Sequence, residues 1–277
     1  MKYAPPGRIE NCQVGVFLAY ASGRGRALVD RELYLPDEAW VKDADRRRVA
    51  AVPEEAGFAS KPELGRRMLR RALAAGIPFG WVAADAVYGQ HPGLREWLEA
   101  NALRYALAVP GDFKVVAGKT SSQVRSLVPL VPARAWERRS CGRGAKGMRY
   151  YDWSTLAVGV RHSGRRGGAP AAPSAGFEHL LLVRRSVDDP AELAFFLVHA
   201  PVEATLAEMV NAVGARWAIE ECFESAKNEC GLDQYEVRKW PAWYRHITLA
   251  MLAAALLAAI RAGHPDEKGD PTRDEPA

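Results

Sequence analysis

Four residues carry the chemistry this sequence offers: the carboxylates Asp85 and Glu220 and the cations Arg216 and Lys227. Arg216, Glu220 and Lys227 follow the pattern Arg-x3-Glu-x6-Lys. At about 100° per residue they fall within about 40° of one another on one helix. Ala218, Ile219, Cys222, Phe223, Ala226 and Cys230 fall on the other side and form an apolar face. A carboxylate between two cations could hold a divalent metal beside groups that grip phosphate. Taken alone, the stripe reads more simply as a solvated face of ion pairs. Asp85 closes the apolar run Phe79 to Ala84 and precedes a turn containing Gly89. Open α/β sheets bind ligands at the carboxyl ends of strands, but Asp also caps the turn that follows it. Both readings stand.

These residues need elements to position them. Cys12 to Tyr20 and Arg26 to Leu35 are β-rich runs joined by a Gly-containing loop, which predicts a hairpin. Leu64, Met68, Leu69 and Leu73 recur at helical spacing between Pro62 and Gly76. A short strand then leads into Asp85, a helix follows over Pro92 to Ala102, and Tyr105 to Val109 reads as a buried strand. This alternation predicts an α/β fold whose sheet is at least partly parallel. Beyond it, short β-like pieces alternate with basic, Gly-rich stretches, and Phe177 to Val183 with Ala194 to His199 reads as a strand pair. Helix returns over Thr205 to Glu229 and Trp243 to Ala262. The predicted organisation is an N-terminal core part (1–110), a β-rich basic insertion (111–204), C-terminal core helices (205–263) and a disordered acidic tail (264–277).

Composition narrows the class. Of 277 residues, 48% are hydrophobic and 26% charged, enough to bury a core and too apolar for general disorder. The +5 net charge permits a nucleic-acid partner without establishing one. Residues 134 to 149 hold six bases and one acid, a local +5 that could track phosphates or simply be solvated. Four scattered cysteines without a Cys-x-x-Cys pair argue against a disulfide scaffold or zinc knuckle and for a reduced, cytoplasmic protein. Residues 1 to 10 lack a signal core, and the Ala-rich run Ile247 to Ile260 is short for a membrane span, so it reads as a core helix and no membrane partner is predicted.

The block Ala84-Asp85-Ala86-Val87-Tyr88-Gly89 resembles the second-aspartate motif of DDE-type bacterial insertion-sequence transposases. Arg216-x3-Glu220-x6-Lys227 is similar to that superfamily's signature around its catalytic glutamate, usually Tyr-x2-Arg-x3-Glu-x6-Lys. The stretches ENCQVGVFLAYAS, DRELYLP and ECFESAKNECGLDQYEVRKWPAWYRHITLAML resemble one branch of it, so the likeness spans roughly residues 8 to 262. It implies an RNase H-like α/β fold, a mixed sheet flanked by helices with a β-rich insertion between Asp85 and Glu220. It also implies two-metal DNA cleavage and strand transfer at transposon ends. Asp85 and Glu220 would be catalytic ligands of Mg²⁺ or Mn²⁺, and Arg216 and Lys227 would hold DNA phosphates. The implied partners are double-stranded DNA, at transposon ends and target, and further copies of the chain. The implied location is the cytoplasm, on the nucleoid when DNA-bound.

The chain departs from the family pattern twice. The signature tyrosine falls at Val213. The first aspartate of the triad belongs on a central strand upstream of CQVGVFLAY, where eleven residues stand and none is Asp. The resulting expectation is an N-terminally truncated transposase that lacks this strand and is inactive in strand transfer. The alternative is a DNA-binding remnant that does not cut, or the product of a pseudogene. Trp240, Trp243 and Tyr244 read as packing more than as base-stacking residues. His199, His246, Cys222 and Cys230 read as structural.

Overall fold

The computed structural model describes residues 13–36, 38–144, 147–161 and 172–263. The predicted acidic tail lies outside these residues, as does most of the Gly-rich stretch 161–174. The chain divides into two compact units, Met1–Phe58 with Ala218–Ala277, and Ala59–Trp217.

The larger unit starts with α3 (Lys61–Ala74), preceded in the chain by α1 (Glu38–Lys42) and α2 (Ala44–Val49) of the smaller one. Ser60 and Glu63 form a reciprocal capping box at the start of α3, and Pro62 fits its first turn. Gly76 ends it at φ +68, a left-handed position that favours glycine. Leu64, Met68, Leu69 and Ala72 give α3 its buried face. Then come β3 (Val82–Ala84), α4 (Ala86–Gly89), α5 (Pro92–Ala100) and β4 (Tyr105–Val109). After them the chain is mostly strand: β5 (Lys114–Ala117), β6 (Thr120–Gln123), β7 (Glu137–Gly144), β8 (Gly147–Ala157), β9 (Phe177–Ser186) and β10 (Leu193–Pro201). Helix α6 (Leu206–Ala215) closes the unit.

Six strands form one mixed sheet in the order β3-β4-β10-β9-β8-β7. Only β3 and β4 are parallel, as the βαβ pattern requires; the other pairs are antiparallel. This mixed sheet with flanking helices has the RNase H-like character that the resemblance implies. Within segment 111–204, β5 and β6 pair with each other as a two-stranded sheet, whereas β7 to β10 join the sheet of β3 and β4. Leu197 of β10 pairs with Leu107 of β4, so the sheet runs continuously from β3 to β7. Among the described residues β3 pairs only with β4, and is an edge strand. Met209, Val210, Ala212 and Val213 of α6 pack on Trp153, Leu182, Phe196 and Val198 of the sheet. The contact is close: a Cβ on Gly214 would lie 2.2 Å from the Cys141 carbonyl oxygen.

The smaller unit holds the predicted hairpin, β1 (Val14–Ser22) and β2 (Gly25–Tyr34), whose strands pair with each other. It also holds α7 (Ala218–Cys230) and α8 (Trp240–Gly263). Its core joins Leu28 of β2 to Cys222 and Ala226 of α7 and to Trp243, Ile247, Ala250 and Met251 of α8. Phe17 meets Phe223 edge-on at 5.0 Å, a favourable aromatic geometry.

Two helical expectations change. The single helix predicted over Thr205 to Glu229 is two helices. The Arg216 and Trp217 amides bond back three residues, to the carbonyls of Val213 and Gly214, and this tightened turn ends α6. The Trp217 ring is held by the Arg149 guanidinium 4.1 Å from its centroid. The run Ile247 to Ile260 is a core helix over only part of its surface. Ile247, Ala250 and Met251 are buried, whereas Leu249, Leu252, Leu256 and Ile260 are exposed. By length and composition α8 is apolar enough to cross a membrane, with 17% of its apolar window buried.

Candidate functional site

Asp85 ends β3 and caps α4. Its backbone is extended, and its Oδ1 accepts a hydrogen bond from the Val87 amide at 2.9 Å. That bond satisfies one donor of a helix N-terminus. Among the described residues Oδ2 accepts no hydrogen bond from a protein donor, so half of this exposed carboxylate faces solvent. The capping reading of the sequence is therefore realised, and it leaves a ligand oxygen available.

The turn behind Asp85 is pinned on several sides. A Cβ on Gly89 would lie 2.0 Å from the Ala108 carbonyl oxygen, so α4 rests directly on the β4 backbone. The Tyr88 ring lies 3.1 Å from the Cβ position of Gly65 on α3. Burial, with the Asp85 charge next, pushes the Tyr88 hydroxyl up to about 12. Arg95 of α5 donates through Nη1 to the Gly89 carbonyl at 2.5 Å. Sequence reading placed Pro92 to Ala102 on a helix but missed Arg95. The available signal was an arginine next to Leu94, on the turn that leads to Leu98, because Arg95 shares their burial.

Glu220 and Lys227 share α7. Glu220 stands exposed in its first turn, where the helix dipole favours an anion, and Lys227 lies in the last turn, where it favours a cation. The seven-residue spacing puts both on one face, about 10 Å apart along the axis. Ala218, Cys222 and Ala226 are buried on the other face, as the sequence predicted. The Lys227 ammonium lies 6.0 Å from the Phe223 ring centroid, and Arg26 pairs with Glu221 beside this stripe.

Arg216 is not part of that helix. It is the C-cap of α6, with its guanidinium 5.9 Å from the Trp217 ring centroid. The three-residue stripe inferred from spacing is thus a pair, Glu220 and Lys227, on α7. Asp85 and Arg216 belong to the larger unit, Glu220 and Lys227 to the smaller. Val213, at the position of the signature tyrosine, is 2% exposed in the core beneath α6.

Among the described residues no three His, Cys, Asp or Glu side chains converge as a metal cage. Mg²⁺ does not need one, because it is commonly held by one or two carboxylates with substrate phosphates and water. The exposed, hard oxygens of Asp85 and Glu220 suit that mode of binding.

Two arginines of the basic run 134–149 have carboxylate partners on the same strand pair. Arg138 pairs with Asp152 at 3.1 Å and Arg139 with Glu137 at 2.7 Å. The aromatic residues near the start of α8 also pack: Trp243 is 1% exposed and donates to the Tyr235 hydroxyl at 3.0 Å. Tyr244 accepts from the Leu33 amide at 3.1 Å. The ring nitrogens of His199 and His246 each lie 3.0 Å from a backbone carbonyl, those of Leu103 and Gly231. Cys222 is buried, and burial raises its thiol to about 11.

A family model described as DDE superfamily endonuclease matches residues 3–166. The match includes Asp85 and its turn; Arg216, Glu220 and Lys227 lie beyond it. No curated protein matches the chain.

Proposed function

The chain belongs to the DDE superfamily of endonucleases, and from that premise we propose that it is a transposase catalytic region acting on double-stranded DNA by divalent-metal phosphoryl transfer. The observation that carries this reading is Asp85: it lies inside the matched span, at the carboxyl end of β3, with one carboxylate oxygen left open by its cap. Asp85 and Glu220 are the proposed ligands of Mg²⁺ or Mn²⁺, as exposed carboxylates with hard oxygen donors. When bound, such a metal supplies electrostatic activation of the attacking oxygen and neutralises charge on the leaving one.

The remaining work falls to the protein. The Val87 amide fixes the Asp85 carboxylate, so that its second oxygen is presented without a search of rotamers. The pinning of Gly89 on β4 keeps the turn from yielding under load. Lys227 and Arg216 are proposed to hold DNA phosphates, Lys227 as a mobile point charge and Arg216 as a planar fork. Strand transfer at transposon ends, action as a multimer and a cytoplasmic, nucleoid-associated location belong to the same proposal.

Cleavage of duplex DNA in Mg²⁺, abolished by EDTA, is the direct measurement. Asp85→Asn and Glu220→Gln should each lower the rate by about 100-fold or more, the scale seen when a transition-state charge stabiliser is removed. Wild-type rates in either variant would sink the assignment. A binding role without cleavage is the second reading. It would show as salt-dependent DNA binding with no nicking in Mg²⁺.

A further inference from the structure

We propose that a cleft on the larger unit, lined by Arg95, Lys114 and Arg161, is an anion site that seats a backbone phosphate of the nucleic-acid substrate. The identity of the ligand rests on the nuclease reading above; the existence of the site does not.

Arg95 is 3% exposed. A buried guanidinium remains charged and is costly unless it is compensated. Its compensation inside the protein is thin. Nη1 donates to the Gly89 carbonyl at 2.5 Å and Nη2 reaches the Arg161 carbonyl only at 3.5 Å. The guanidinium lies 5.4 Å from the Phe113 ring centroid, and among the described residues its buried Nε has no acceptor. Glu99, one turn further along α5, directs Oε1 to other groups: it accepts from the Tyr105 hydroxyl at 2.7 Å and lies 3.0 Å from His179 Nε2. Burial lowers the pKa of Arg95, and the charges of Glu99 and Glu96 on the same helix offset that only in part.

This under-compensated charge opens on a cleft of about 390 Å³, where Lys114, Arg161, Gln90 and Ser121 join it in the wall. Among the described residues no carboxylate lines the cleft. Three cations, an amide and a hydroxyl around one space select an anion rich in acceptor oxygens. At about 30 Å³ per water the space equals roughly a dozen waters, room for a phosphodiester group and its hydration. Lys114, Arg161, Gln90 and Ser121 are all solvent-exposed, so the wall is open-sided and suits a strand crossing it more than an enclosed small molecule. Arg95 also ties this cleft to the Asp85 turn. The residue it grips, Gly89, ends the four-residue helix that Asp85 caps. A phosphate seated here would be held by the same arginine that grips the Asp85 turn. Arg95, Lys114 and Arg161 are positioning residues in this account.

The test uses the full chain, a fluorescent DNA duplex and inorganic tripolyphosphate. Duplex affinity is measured against salt concentration for the wild type and for the double variant Lys114→Gln/Arg161→Gln, which changes only exposed side chains. The log–log salt slope should fall by about 0.9 per lost phosphate contact, hence by up to about 2, and equally for unrelated duplex sequences. Tripolyphosphate should raise the melting temperature of the wild type, and the double variant should lose that shift. Arg95→Met, with folding checked by circular dichroism, should lose it too. An unchanged slope together with an unchanged tripolyphosphate shift overturns the site, while duplex binding and cleavage by the same samples would leave the nuclease reading intact. A tripolyphosphate shift that the double variant abolishes, in a wild type that binds no duplex, keeps the anion site and overturns its nucleic-acid ligand.

Discussion

Asp85 and Glu220 are both exposed carboxylates at the N-terminal end of a helix, yet the chain holds them by opposite means. Asp85 caps a helix of four residues, too short to be stable by itself. Its place is fixed by backbone contacts within a few ångströms: the Val87 amide, the close approach of Gly89 to β4 and the grip of Arg95 on the Gly89 carbonyl. Glu220 stands exposed in the first turn of a helix of thirteen residues. Side chains on the far face of that helix, Cys222 and Ala226 against Leu28 and Trp243, fix its position. One carboxylate caps the short helix that follows it, and the other stands on a longer helix packed through its opposite face.

This contrast can be tested by substitution. The largest effect should come from undermining the carrier of Glu220. Trp243→Ala empties a fully buried site and should cost about 3–5 kcal/mol in urea unfolding. Gly89→Ala attacks the Asp85 side by forcing a methyl into the Ala108 carbonyl. Its cost should be about 1–3 kcal/mol, the usual range for overpacking, accompanied by loss of cleavage. The two carboxylates themselves should then separate. Asp85→Ala removes a cap and should cost about 1 kcal/mol, whereas Asp85→Asn retains a good capping residue and should be nearly neutral. Glu220→Ala should stay within about 0.5 kcal/mol. Equal destabilisation by the two alanine variants would break the comparison.

The smallest effect concerns acid. Hydrogen bonds from the Ser60 backbone and hydroxyl hold the Glu63 carboxyl below its ordinary value. A depressed carboxylate pKa contributes stability that is fully present above the unfolded value, about 4.3. That contribution is lost as the pH falls through the folded value. Glu63→Gln should therefore flatten the acid limb of the stability profile of the larger unit slightly and leave neutral pH little changed apart from the cap itself.

The fold was legible where local signals and tertiary packing agree. The β1–β2 hairpin, α3 between Pro62 and the Gly76 stop, and β4 at Tyr105–Val109 follow from spacing and turn chemistry alone. Less was legible where a long-range contact decides. Between Thr205 and Glu229 only Gly214 hints at a break, and the contact that holds Trp217 comes from Arg149, 68 positions away in sequence. The pairing of β10 with β4 was equally hidden, since an apolar strand does not name its neighbour. At the candidate site, residue type and spacing single out Asp85, Glu220 and Lys227 as candidates. Arg95 is not singled out, because a cation on a helix is ordinary until its burial is known. Spacing also placed Arg216 on the helix of Glu220, an inference that holds only if the helix is unbroken.

The cysteines give each unit its own chemical clock. Cys141 of the larger unit and Cys222 of the smaller are 3% and 6% exposed, and burial raises both thiol pKa values. A thiol that is both covered and protonated resists alkylation, so each sulfur reacts only when its own surroundings open. Mass spectrometry of iodoacetamide-treated protein could then time the opening of the sheet bearing Asp85 and of the helices bearing Glu220 separately, in one unmodified sample.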